Sequence, residues 1–144
     1  MSKLKFFTFV VIAMLCVLFA AFTGRAADTN SAPVTETKHT PKSVKPEQAQ
    51  KLIADKKVVV LDVRTPAEFA AGHIAGATNI DFRDKDFAAK VAKLDKSQAY
   101  LVHCAAGQRS AKACSAMQQL DFATLYDLKG GLSAWQDAGL PVEK

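Results

Sequence analysis

Short apolar runs alternate with stretches of helical periodicity along most of this chain. Val58-Val59-Val60-Leu61-Asp62 has the nearly unbroken apolar character of a strand buried on both faces, and Thr78-Asn79-Ile80 and Ala99-Tyr100-Leu101-Val102-His103 read as two more. A fourth strand is expected over residues 123–126. Between these runs, helices are expected to start at Pro46, at Pro66, near Asp86 and near Arg109. The two prolines suit a first helical position, where the missing N–H has no partner to lose. Ala113, Cys114, Met117 and Leu120 give the fourth helix an apolar stripe, and a last short helix over residues 132–138 follows Gly130-Gly131. Strands alternating with helices predict an α/β fold, a small parallel sheet with helices on both faces. No internal repeat is visible.

The first 26 residues do not fit this pattern. Lys3 and Lys5 precede a run over residues 6–22 in which Thr8 is the one clearly polar side chain, and Gly24-Arg25-Ala26 then offers small residues before a cut after Ala26. This is the makeup of a signal peptide (residues 1–26), with an uncleaved anchor as the alternative reading. Residues 27–42, rich in Thr, Ser and Pro, read as a flexible linker, and residues 43–144 as the folded domain. The expected location is periplasmic, or anchored in the inner membrane and facing the periplasm, with the membrane touched through the N-terminal segment alone.

Charge changes the picture once the leader is set aside. The whole chain of 144 residues carries +5. Beyond residue 26 lie 16 basic and all 14 acidic residues, a net +2, so the basic character belongs mostly to the export segment. That gives no support to a nucleic-acid partner, which requires a concentrated basic face. Two cysteines remain, Cys104 and Cys114, too few for a disulfide scaffold. Three scattered histidines without a C-x-x-C pair suggest no metal site.

In a parallel sheet, ligands bind beyond the carboxyl ends of the strands. The strand ending at His103 delivers Cys104 to that edge, followed by Ala105-Ala106-Gly107-Gln108-Arg109-Ser110 and a helix. Small residues at Ala105, Ala106 and Gly107 let the backbone curl so that its N–H groups converge, and the helix terminus adds a partial positive charge. Both favour thiolate over thiol. Arg109 adds a permanent charge at the rim. The expected product is an activated sulfur nucleophile that holds an anionic group.

Four segments, in this order, resemble the rhodanese (sulfurtransferase) superfamily: Leu61-Asp62-Val63-Arg64-Thr65-Pro66-Ala67-Glu68-Phe69, Gly72-His73-Ile74-Ala75-Gly76-Ala77-Thr78-Asn79-Ile80, His103-Cys104-Ala105-Ala106-Gly107-Gln108-Arg109-Ser110, and Gly130-Gly131-Leu132-Ser133-Ala134-Trp135. With the export signal, the chain is similar to periplasmic single-domain rhodaneses of the phage-shock type. The resemblance implies that Cys104 takes a sulfane sulfur from a small anionic donor such as thiosulfate. It would become a persulfide and pass the sulfur to cyanide or a thiol, including a protein thiol, with no cofactor. Ala106 and Arg109 stand where some thiosulfate:cyanide members carry Lys or a hydroxyl residue. Phosphatases that share the fold place five residues between Cys and Arg, whereas four separate Cys104 from Arg109, a tighter cup suited to one sulfur atom rather than a phosphate.

Other motif residues have plainer readings. Arg64 could bind the anionic donor, or could join Asp62 and Glu68 in ion pairs and helix caps that fix the loop. His73 reads as a hydrogen-bonded structural residue. His103 adjoins the nucleophile, but neighbours on a strand point to opposite faces, so it should face away from Cys104. Trp135 reads as core. Cys114 carries the competing hypothesis of a redox thiol, although its place on the apolar stripe favours a buried core residue. A sulfur-carrier or docking module of the same fold is a third class, and a sulfur-silent docking module would be marked by loss of the nucleophile, whereas Cys104 is present.

Overall fold

A computed structural model describes residues 40–144, so the expected signal peptide and nearly all of the expected linker lie outside the described residues. The elements run β1 (Lys42–Val44), α1 (Pro46–Ala54), β2 (Val59–Asp62), α2 (Pro66–Ala71), β3 (Thr78–Asn79), α3 (Phe87–Val91), β4 (Ala99–His103), α4 (Gln108–Gln119), β5 (Thr124–Leu128) and α5 (Gly131–Asp137). All strands are parallel, in the order β1-β5-β4-β2-β3. This is the α/β architecture expected from the alternating pattern.

Strand parity divides the core into two layers. Leu61, Tyr100, Val102 and Leu125 point to one face and pack with Phe87 and Val91 of α3 and Ala113, Cys114 and Met117 of α4. Val60, Leu101 and Leu128 point to the other and pack with Ala49 of α1 and Leu132 and Trp135 of α5. Trp135 is core, as read, and its ring N–H donates to the Pro141 carbonyl at 2.9 Å, so the polar tip is satisfied. Both prolines do stand at the start of their helices, and Thr65 caps α2 in a reciprocal box with Glu68. Among the described residues, no helix is long and apolar enough to cross a membrane.

Two elements differ from expectation. β1 was not foreseen: it is three residues long, two of them exposed, and it starts at Lys42, the last residue assigned to the linker. Its pairing with β5 makes it a strand, and a Lys-Ser-Val sequence carries no local trace of that. β5 ends at Leu128 rather than Tyr126, which brings Asp127 into the sheet.

Candidate active site

The carboxyl edge of the sheet gathers the end of β2, the end of β4 with the loop behind it, and the start of α5. β4 runs directly into Cys104, whose side chain shares the parity and the core layer of Val102. Gly107, at φ +95°, turns the chain into α4, a left-handed conformation that glycine adopts without penalty. The turn aims the Gly107 N–H at Cys104 Sγ, 3.1 Å away. The amides of Ser110 and Ala106 and the Ser110 hydroxyl face the same sulfur. Burial by itself pushes the thiol up, but these donors outweigh it, and the net effect lowers the Cys104 pKa. Cys104 is only 2% exposed, so a reactant must present a slender end to it. From these values, alkylation of Cys104 against pH is expected to show a midpoint below the free-thiol value of about 8.5. A midpoint at or above that value would contradict the cup's effect on sulfur.

The loop is itself held from behind. The first amides of α5 donate to its carbonyls, Leu132 N to Cys104 O at 2.7 Å and Ser133 N to Ala105 O at 3.0 Å. With those carbonyls turned toward α5, the N–H groups of the loop are left to converge on sulfur. Gly131 makes this approach possible: a Cβ built there would lie 2.4 Å from the Cys104 carbonyl oxygen. Gly130-Gly131 therefore acts on the site, a role that the sequence reading did not give it.

Arg109 and Glu68 close the rim. The guanidinium meets the carboxylate in a two-pronged contact, Nη1 to Oε2 at 2.9 Å and Nη2 to Oε1 at 2.7 Å, joining α4 to α2. Hydrogen bonding to Arg109 is the chief reason the Glu68 carboxyl is held well below the usual carboxylate range, and Glu68 in turn raises Arg109. Arg109 lies close enough to Cys104 to sense its charge. It is thus a tethered group rather than the free rim charge expected.

Arg64 requires a correction. Its side chain is 7% exposed and engaged through two of its nitrogens: Nε contacts both Asp62 oxygens at 3.0 Å, Nη2 contacts Asp62 Oδ2 at 2.6 Å, and Nη2 also reaches the Gly72 carbonyl at 2.7 Å. Its Nε and Nη2 are therefore taken by structural partners, the ion-pair reading rather than the donor-binding one. The guanidinium ties the end of β2 to the end of α2. The Asn79 amide pins the same turn by donating to the carbonyls of Asp62 and Arg64. Glu68 caps α2 as read, but its ion-pair partner is Arg109 rather than Arg64.

The histidines take structural places. His73 stacks on Phe69 with ring centroids 3.8 Å apart, its Nδ1 lies 3.1 Å from the Phe69 carbonyl, and its backbone bridges to Glu143. His103 is fully buried beside Asp62, its partner across the sheet, with Nε2 3.6 Å from Asp62 Oδ2. Burial is the main reason that His103 is pushed down, opposed by the Asp62 charge. Its ring sits with Asp62 while the cysteine joins the opposite layer, in keeping with strand parity. Cys114 is 1% exposed on the buried stripe of α4, and burial first, then the charge of Asp127, pushes its thiol up to about 12. Among the described residues, no group of His, Cys, Asp and Glu is gathered as a metal site. Ala106 and Gln108 are exposed around the cup, and Ser110 is buried beneath it. Besides Gly131, the sequence reading missed Asp127, which accepts from the Ser110 hydroxyl at 2.6 Å. A carboxylate inside the run Leu125-Tyr126-Asp127-Leu128 was the available signal.

A parallel α/β sheet that presents a thiol in a ring of amides, at the turn from a central strand into a helix, defines a class of cysteine-centred proteins. The chain belongs to the rhodanese-like domain family, whose pattern matches residues 45–138. Thiosulfate sulfurtransferase GlpE of Pseudomonas putida is 35% identical over 102 residues, covering 71% of this chain and 90% of that protein. A protein of Allochromatium vinosum named sulfurtransferase is 31% identical over 94 residues, covering 65% of this chain and 86% of that one. Among solved structures, a rhodanese-related protein from Thermoplasma volcanium superimposes with a TM-score of 0.64 at 33% identity, covering 71% of this chain and 97% of that one.

Proposed function

We propose that the chain is a sulfurtransferase that works through a Cys104 persulfide. The Cys104 thiolate attacks the outer sulfur of a donor such as thiosulfate. As the new S–S bond forms, the donor's own S–S bond breaks and its electron pair leaves with sulfite. An acceptor nucleophile, cyanide or a thiol, then attacks the outer sulfur of the persulfide, and the electron pair of that bond returns to Cys104 Sγ as thiolate. Electrons balance over the two displacements, so no cofactor enters. The observation that carries this reading is the sulfur of Cys104 receiving backbone N–H groups at the floor of a narrow cup. The relatives named as sulfurtransferases support the same chemistry.

The alternatives fit the site less well. A redox pair would need Cys114 reachable by a second thiol or an oxidant, and it is 1% exposed within the core layer of α4 with its thiol pushed up by burial. A phosphatase would need room for a tetrahedral anion over a cysteine that is almost wholly buried, with its arginine free to clasp the oxygens. Here Glu68 already occupies Arg109. We further propose that the protein acts in the periplasm, as a single-domain rhodanese of the phage-shock type, on the basis of the leader-like pattern over residues 1–26. To test the activity, the chain is mixed with thiosulfate, or with a polysulfide as second donor, before any acceptor is added. Stoichiometric sulfite from thiosulfate, followed by thiocyanate when cyanide is added, is the expected result. Failure to take sulfur from either donor, or hydrolysis of p-nitrophenyl phosphate in its place, would refute the proposal.

A further inference from the structure

Behind the cup, one hydrogen faces three acceptors. The Ser110 hydroxyl lies 2.6 Å from Asp127 Oδ1 and 3.0 Å from the Gly107 carbonyl, and it also faces Cys104 Sγ. A hydroxyl has a single hydrogen to donate, so these contacts compete. The carboxylate offers the shortest and charge-assisted bond, the kind that is roughly twice as strong as a neutral one. Asp127 is partly buried on β5, reached by none of the substrate chemistry described above. The titratable groups around it are Cys104 beyond Ser110 and Cys114 on α4, while its register partners on the flanking strands, Ser43 and Val102, carry no charge.

We infer that Asp127 is a positioning residue for Cys104, acting through Ser110: its carboxylate draws the hydroxyl hydrogen to itself and so withholds that donor from the sulfur. This rests on Cys104 being the reacting thiol. With the hydrogen drawn to Asp127, the backbone amides carry most of the stabilisation of the thiolate and the hydroxyl the least, so the thiolate stays more basic and hence more nucleophilic. Asp127→Asn keeps a side-chain carbonyl oxygen but loses the nearby like charge, so the competing acceptor is weaker and the hydroxyl hydrogen shifts toward sulfur. The thiolate becomes easier to form and slower to attack. Burial raises the Asp127 carboxyl while the Ser110 hydroxyl pulls it back, as expected of a carboxylate that depends on this one donor.

The test is iodoacetamide alkylation of Cys104 against pH in the full chain, with Asp127→Asn, Ser110→Ala and the double variant. Asp127→Asn is expected to lower the midpoint by about one pH unit. The plateau rate of the fully ionised thiol should fall by about threefold, following the weaker basicity. In the Ser110→Ala background the midpoint shift is expected to shrink to less than half, because the hydroxyl that carries it is gone. A shift retained by more than half would reduce Asp127 to a through-space charge, and the absence of any shift would remove it from the site; either overturns the inference. If Asp127→Asn does not fold, the 13C resonance of the Asp127 carboxyl in the wild-type chain takes its place. It should show a second inflection as Cys104 ionises, lost in Ser110→Ala, and a native chain without that inflection overturns the inference equally. Sulfur loading is read separately by mass, so failure of the coupling and failure of the sulfurtransferase reading give different results.

Discussion

Asp62→Leu is expected to destabilise the domain by about 3 to 5 kcal/mol, the cost of leaving a buried charge without its partner. Asp62 is completely buried, and it accepts the Arg64 backbone N–H at 2.9 Å as well as the guanidinium. Without it, the Arg64 guanidinium keeps the Gly72 carbonyl but has no counter-charge. For a domain of this size, that corresponds to a melting temperature lower by about 15 °C or more. Arg64→Met is expected to cost less, since Asp62 keeps the backbone N–H of residue 64 as a hydrogen-bond donor. The double variant Asp62→Leu/Arg64→Met should recover most of the loss, because two apolar groups of similar volume need no mutual charge. Thermal melts of the three variants decide the matter. If the double variant is as unstable as Asp62→Leu alone, the pair is not what makes Asp62 necessary.

Gly131→Ala is expected to damage both stability and site. The residue sits at φ +60°, where a Cβ is strained, and the added carbon would lie 2.4 Å from the Cys104 carbonyl oxygen and 2.7 Å from the Ala105 carbonyl carbon and oxygen. Backbone on both sides must move, and the bonds from Leu132 and Ser133 to those carbonyls go with it. Together, strain and overpacking amount to about 3 kcal/mol or more. Gly139→Ala separates the two effects: φ there is +72° but nothing lies within 4 Å of the new Cβ, so about 1 kcal/mol from strain alone is expected. The Cys104 alkylation midpoint should rise in Gly131→Ala and stay in place in Gly139→Ala. Equal melting points for the two would show that the close approach of α5 to the loop is not needed.

The sequence carried the layered α/β plan well, because the strands β2 and β4 are continuous apolar runs and α4 bears an apolar stripe, local signals that need no tertiary knowledge. The place of the thiol was legible for the same reason: a strand that ends at His103 must release Cys104 at the carboxyl edge. What escaped was set by partners distant in the chain. Arg109 looked like a free rim charge because its anchor, Glu68, lies 41 residues earlier. For Arg64 the pair with Asp62 was legible from their spacing, but not that Glu68 would turn to Arg109 instead. β1 owes its strand to β5, and Gly131 owes its glycine to a carbonyl from another element.

The central claim is that Cys104, and not Cys114, takes up sulfur. Intact mass of the folded chain after incubation with a sulfane donor tests it most directly, since it reads the covalent step without presuming an acceptor. A gain of a single sulfur atom is expected, retained in Cys114→Ala and absent in Cys104→Ala, because the amide cup surrounds Cys104 alone while burial keeps the Cys114 thiol protonated. A gain that survives Cys104→Ala and disappears in Cys114→Ala would contradict it.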